Sequence, residues 1–257
     1  MFSIEIIDIL APALIVGIII SLIHIPLGIE VLKRGIIFLD LAIAQFAALG
    51  MIFFHSFIKH LHIASHYEII GSLIFGLIFS ISCAISLQYF EKKSKKYQEA
   101  IIGCAFIFSA SLSILLISSD PNSDEQMNDI LSGQILWTSW NDLIFYSPIF
   151  LIISMISLYF NKYRNKIFYI LFAITIPFSV NIIGVYLVFA SLIIPALATV
   201  NIGTRRYISA YLISVISFMI GLLTSYIFDT PSGPTIIISM FAIGLIFYNI
   251  TNYRKAI

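Results

Sequence analysis

Asp40 is the one acidic side chain well inside an apolar stretch, and the amide Gln45 stands five residues on in the same stretch. Desolvating an ionisable group inside a membrane costs several kcal/mol unless something pairs with it, so such a group is by default a candidate for the route of an ion. The competing reading makes Asp40 a packing device, paired with Lys33, Arg34 or another helix. Four of the five histidines, His55, His60, His62 and His66, crowd the end of that stretch and the loop after it. Imidazole suits zinc, iron and manganese alike, which makes these four candidate metal contacts. Their spacing does not describe a closed tetrahedral site, because no Cys and no carboxylate beyond Glu68 completes the set, so interfacial polar residues are the competing reading. His24, alone before Pro26, reads as structural. Paired acids, a serine with a histidine, and H-E-x-x-H inside a span are all lacking, which argues against an intramembrane enzyme. No G-x-x-x-x-G-K-[ST] loop is present either, so the chain has no phosphate cradle of that kind.

The elements that must position these residues are membrane helices. Of 257 residues 60% are hydrophobic and 11% charged, and the mean hydropathy is +1.03, so most of the surface requires a lipid solvent. The net charge of +1 sits in short loops rather than in a stripe, which excludes nucleic-acid binding. Cys83 and Cys104 fall in apolar segments and imply neither a disulfide nor a thiolate site. The first eight residues carry Glu5 and Asp8 but no Lys or Arg, so the first apolar segment is expected to stay in the mature protein.

Apolar runs of about 20 residues predict helices near 9–27, 35–58, 68–90, 100–118, 143–160, 207–228 and 233–250. On that reading Gln45 lies near the bilayer midplane, with Asp40 roughly 7 Å nearer the cytoplasm. The stretch 167–200 would make roughly 50 Å of helix against a core of roughly 30 Å. Pro177, Asn181 and Gly184 stand where a break is needed, so two elements are expected there, the first of them short or re-entrant. The loops at Lys33 and Arg34, at Lys92, Lys93, Lys95 and Lys96, at Lys162, Arg164 and Lys166, at Arg205 and Arg206, and at Arg254 and Lys255 then all fall on one side. The excess of Lys and Arg makes that side the cytoplasm. The expectation is an all-α, polytopic helical membrane protein of about eight to nine transmembrane elements. It has a broken or re-entrant helix near 177–186, the N-terminus outside and the C-terminus in the cytoplasm. A single transmembrane domain over 1–257 accounts for the whole chain.

Three stretches resemble the permease subunits of bacterial metal-type ABC importers, which take up zinc, manganese or iron. They are the run from Gly184 to Thr199 with Pro195 inside it, the segment from Leu131 to Leu143, and the turn Phe228-Asp229-Thr230-Pro231-Ser232-Gly233-Pro234. The resemblance implies a membrane subunit that moves a divalent metal ion as substrate and holds no permanent cofactor. It further implies cytoplasmic ATP-binding subunits that hydrolyse ATP on a separate chain, an extracytoplasmic metal-binding protein, and a permease homodimer in the bacterial inner membrane. It implies that Pro195, Ala196, Thr199, Arg205 and Arg206 belong to a short coupling helix against the ATPase, and that residues around Asn181 and Gly184 line the route near the outer gate. The second helix departs from the family pattern: where relatives place an acid and an imidazole four residues apart, this chain has Leu41 and Gln45, and its acid, Asp40, is rotated by about 100° around the helix. The alternatives are a permease of the same family with a non-metal substrate and a proton-coupled secondary transporter, which a buried Asp and a broken helix would also suit.

Overall fold

The computed structural model describes residues 4–58, 65–93, 97–118, 123–133, 135–159 and 164–256. These form nine stretches of α-helix: α1 Ile4–Arg34, α2 Leu39–Ile58, α3 Ser65–Lys93, α4 Gln98–Ile117, α5 Ser123–Ser132, α6 Trp140–Tyr159, α7 Arg164–Ala198, α8 Arg206–Phe228 and α9 Ser232–Ala256, with a 3-10 turn at Ile135–Trp137. Among the described residues eight helices are long and apolar enough to cross a membrane, all but α5. The all-α polytopic expectation therefore holds. The interval between the helices predicted at 100–118 and 143–160 contains α5 and the 3-10 turn, and α1 is longer than 9–27 at both ends.

Helix ends follow local chemistry. Gly35 adopts φ 69° after α1, its N–H reaches Leu32 O at 3.3 Å and that of Ile36 reaches Val31 O at 3.4 Å. This paired cap turns the chain sharply and explains why α2 starts at Leu39 rather than near Gly35. Asp40 consequently sits in the first turn of α2 and not well inside a span.

α7 is the element that organises the rest. It spans 35 residues but contains Gly184 at φ 73° and ψ 165°, outside the helical region. The two arms on either side run antiparallel, as their contacts with α1 show. His24 on α1 bonds Ser191 at 2.7 Å and Ser179 at 3.0 Å through its two ring nitrogens. Twelve residues of straight helix would part those serines by about 18 Å, more than twice what one imidazole can bridge. Arg34, at the end of α1, stacks over Phe168 at 4.2 Å, while Ala196 packs with Ile25 and Ile29 of the same helix. Both ends of α7 thus lie at the Arg34 end of α1, and the expected two elements in 167–200 are the arms of a helical hairpin with Gly184 at its tip, but the short one is the second arm, 185–198, and not the first as expected. Split in this way, the eight spans become nine membrane elements among the described residues.

The hairpin is buried on most sides. Its second arm, residues 185–198, packs so closely that a Cβ at Gly28 of α1 would overlap the Leu192 carbonyl. Pro177 in the first arm cannot donate to Ala173 O, and Ser80 of α3 supplies the missing donor at 2.8 Å. α8 runs antiparallel to α1, with Ser21 and Ser214 sharing a 2.8 Å bond and Gly17 facing Phe218. In this topology the C-terminal ends of α1, α3, α6, the second arm of α7 and α9 share one end of the bundle. The segment from α5 to α6 and the α8–α9 turn share the other.

Candidate functional site: the hairpin tip and the two bundle ends

Gly184 and Gly133 meet backbone to backbone at the tip. Both have positive φ, 73° and 70°, and a Cβ on either would overlap the main chain of the other's segment, Ile183–Gly184 or Ser132–Gly133. Gly233, at the start of α9, presses on the Ser132 carbonyl in the same way. Three glycines thus let the end of α5, the tip of α7 and the start of α9 approach more closely than any side chain would allow. The second arm is about 21 Å long by helical rise, shorter than the membrane core, so the tip lies below the bundle surface.

Beside the tip a cavity of about 450 Å³ opens between α3, α6 and α7, lined by Ile69, Trp137, Asp142, Tyr146 and Asn181 among others. Asn181 is exposed to it, and the Tyr146 hydroxyl donates to Asn181 Oδ1 at 2.6 Å. Asp142 is fixed by the N–H and hydroxyl of Ser139, at 2.9 and 2.7 Å, which caps α6. Trp137 stands 80% exposed at the mouth, consistent with the interfacial belt that tryptophan favours.

At the opposite end Asp40 is fully buried, and neither carboxylate oxygen has a hydrogen-bond partner of good geometry, the nearest donors being the N–H groups of Asp40 itself and Leu41. Arg34, its expected partner, lies 3.2 Å from Glu30 instead. The nearby Glu99, on α4, accepts the Ile37 N–H at 3.0 Å through Oε1, while its Oε2 is buried without a partner. Both acids occupy first turns, of α2 and α4, where the helix dipole favours negative charge. Gln45 is buried further along α2. Five residues separate it from Asp40, so the two point about 140° apart and do not form one face.

Asn181 and Gly184 therefore belong to one end of the bundle and Asp40 to the other, with Gln45 between. His55 is exposed at the end of α2 against Phe54. His60 and His62 lie outside the described residues, as does the side chain of His66. Among the described residues no group of three or more His, Cys, Asp or Glu is placed to hold a metal ion.

The expected short coupling helix is absent as a separate element. Pro195 and Ala196 end α7 itself and residues 199–205 form turns. The Thr199 hydroxyl donates to Pro195 O at 2.8 Å and Arg206 Nη2 donates to Ala196 O at 3.1 Å. Arg206 thus clamps the end of α7, whereas Arg205 is exposed. Reasoning from sequence missed Tyr146 and the serines Ser80, Ser179 and Ser191, and the expectation that no serine meets a histidine inside a span is overturned by His24, which bonds Ser191 and Ser179. Only Ser179 lies within a turn of Pro177, and nothing local in the sequence distinguishes Ser80, Ser191 or Tyr146 from other polar residues in apolar runs.

A bundle of membrane helices around a buried hairpin, with a polar cleft at its tip and a poorly partnered acid at the far end, defines a polytopic membrane protein of the transport class. The ABC 3 transport family matches residues 6–164 and 162–250, and the chain belongs to that family. It is 26% identical over 255 residues to ZnuB of Haemophilus influenzae, the membrane protein of a high-affinity zinc uptake system, covering 90% of this chain and 93% of that one. It is likewise 26% identical to MntC of Halalkalibacterium halodurans, a manganese transport system membrane protein, over 93% of this chain and 85% of that one. An uncharacterised membrane protein of Cyanophora paradoxa is 31% identical over 89% of this chain and 84% of its own. The fold is similar to that in PsaBC from Streptococcus pneumoniae, with a TM-score of 0.68 at 20% identity, covering 96% of this chain and 91% of that one.

Proposed function

We propose that this chain is the transmembrane permease subunit of an ATP-binding-cassette importer that moves a divalent metal ion, zinc, manganese or iron, into the cytoplasm. The observation that carries the reading is the family match over nearly the whole chain, supported by relatives whose names give zinc and manganese as cargo. ATP is hydrolysed on separate cytoplasmic subunits, an extracytoplasmic metal-binding protein delivers the ion, and two permease copies form the unit. The end with the basic loops faces the cytoplasm, the N-terminus lies outside, and residues 1–257 act as a single permease domain in the bacterial inner membrane. The cleft at Tyr146 and Asn181 receives the ion near the Gly184 tip, while Gln45 and Asp40 stand on the way to the cytoplasmic end. His55, His60, His62 and His66 offer transient contacts at the outer face. Arg205, exposed on the turn after α7, meets the ATPase, while the buried Pro195, Ala196 and Thr199 together with Arg206 hold that turn in place.

Cell-associated metals measured by mass spectrometry after deletion of the gene, with and without a plasmid copy, test this. One divalent metal should fall and recover with the plasmid. Unchanged metals, or a chain that repeatedly purifies without an ATPase, would remove the metal or the ABC assignment respectively.

A further inference from the structure

His24, Ser179 and Ser191 are all fully buried and join α1 to both arms of the hairpin. The ring lies 2.7 Å from Ser191 Oγ through Nδ1 and 3.0 Å from Ser179 Oγ through Nε2. Each hydroxyl also faces a carbonyl of its own arm, Ser191 that of Val188 at 2.9 Å and Ser179 that of Thr175 at 3.1 Å. Four contacts need four protons. Two hydroxyls supply two, and a neutral imidazole supplies one. A charged ring would supply the fourth, but with hydroxyls rather than a carboxylate as partners it would bury an isolated charge at membrane depth, at a cost of several kcal/mol.

The neutral ring leaves one contact without a proton, and its tautomer decides which. With the proton on Nδ1, His24 donates to Ser191, which donates to Val188 O, and Ser179 turns its own proton onto Nε2 and releases Thr175 O. With the proton on Nε2 the pattern reverses, and Val188 O is released instead. Either state ties both arms to α1, and parting the arms breaks a tie in either state. Among the described residues nothing comparable exists at the tip, where the glycine contacts are steric.

We propose that His24 is the positioning residue of the α7 hairpin, a neutral two-state latch that holds the arms together below the Gly184 tip and must release one serine when they separate. A role for this latch in gating rests on the reading of the chain as an importer permease with its route at that tip. The latch itself does not depend on which ion is carried. The one tie broken on opening, a buried hydrogen bond of about 1 kcal/mol, shifts a closed-to-open ratio by about fivefold.

The test places spin labels at Ile170 and Leu197, exposed positions on the two arms, in protein with Cys83 and Cys104 replaced by alanine. Distances are measured in the full complex with its ATPase, with and without ATP. The parent should give one narrow resting distance that changes with ATP. His24→Phe, and Ser179→Ala with Ser191→Ala together, should broaden the resting distribution toward the open distance, and His24→Gln, with one donor and one acceptor, should restore it. A ¹⁵N spectrum should show one protonated and one bare ring nitrogen for His24. A parental distance distribution in the double serine variant, which removes only two hydroxyls and so tests the latch even if His24→Phe does not fold, overturns the proposal. A spectrum with both nitrogens protonated also overturns it. If no ATPase accompanies the chain, the importer reading fails while the resting distances still decide the latch.

Discussion

At the residue scale the informative side chains are those whose partners differ from what their type suggests. Asp40 is buried with no partner of good geometry although two basic residues precede it at positions 33 and 34. Burying an unsatisfied charged group costs more than the 1–3 kcal/mol typical of a neutral one, so a protein retains it where a cation or proton visits. Asp40→Asn keeps the shape and removes the charge. Uptake should fall about tenfold or more, a loss of roughly 1.4 kcal/mol or more at the rate-limiting state, while the melting temperature holds or rises. Persistent uptake with altered stability would make Asp40 a structural residue. The two arginines at the start of α8 divide differently from the way their adjacency suggests. Arg206 is bonded to Ala196 O, so Arg206→Ala should destabilise by about 1.5–3 kcal/mol, the range for a hydrogen bond to a charged group. Arg205 is exposed, and Arg205→Glu should leave melting unchanged while weakening stimulation of the ATPase. Equal effects of both on melting, with normal coupling, would reduce the pair to topology determinants.

At the element scale, α7 carries two defects that its neighbours repair. Pro177 deprives Ala173 O of its helical donor, and Ser80 replaces it from α3. Ser80→Ala should therefore cost about 1–3 kcal/mol, read as a lower melting temperature, because a buried carbonyl is orphaned. The break at Gly184 is repaired by Gly133, whose backbone fills the space where a side chain would stand. Gly184→Ala combines positive-φ strain of about 1–3 kcal/mol with overlap against Gly133, and it should abolish folding or lower the melting temperature more than Ser80→Ala does. A Gly184→Ala protein that melts with the parent would contradict the hairpin geometry.

For the whole molecule, the topology gathers the C-terminal ends of α1, α3, α6 and α7 at one end and the α8–α9 turn at the other, which makes orientation a labelling question. Ser232 is an unsuitable probe because it is buried. Thr230 is exposed in the same turn and Tyr97 is 58% exposed at the start of α4. With Cys83 and Cys104 replaced by alanine, Thr230→Cys should react with an impermeant thiol reagent in intact cells, and Tyr97→Cys only after permeabilisation. The opposite pattern would invert the protein in the membrane.

The sequence by itself determined that this is a bundle of membrane helices, since apolar runs of spanning length have no other solvent. It also determined that 167–200 must break, because a helix of that length exceeds the membrane core and Pro177 and Gly184 mark the weak points. Loop charge and segment length agreed on two elements there, and the hairpin has two arms, the second too short for a full pass. What the sequence could not show is which partners close the hairpin. Ser179 and Ser191 meet on His24 only because the arms fold back, and Gly133 reaches Gly184 from about fifty residues away by packing alone. The same limit explains the misplacement of Asp40. The αL cap at Gly35 set the start of α2, and hydropathy carries no signal for a single backbone turn of that kind. Local periodicity reports how a segment is solvated, whereas sites assembled from residues far apart in sequence are decided by which faces pack, and that information is tertiary.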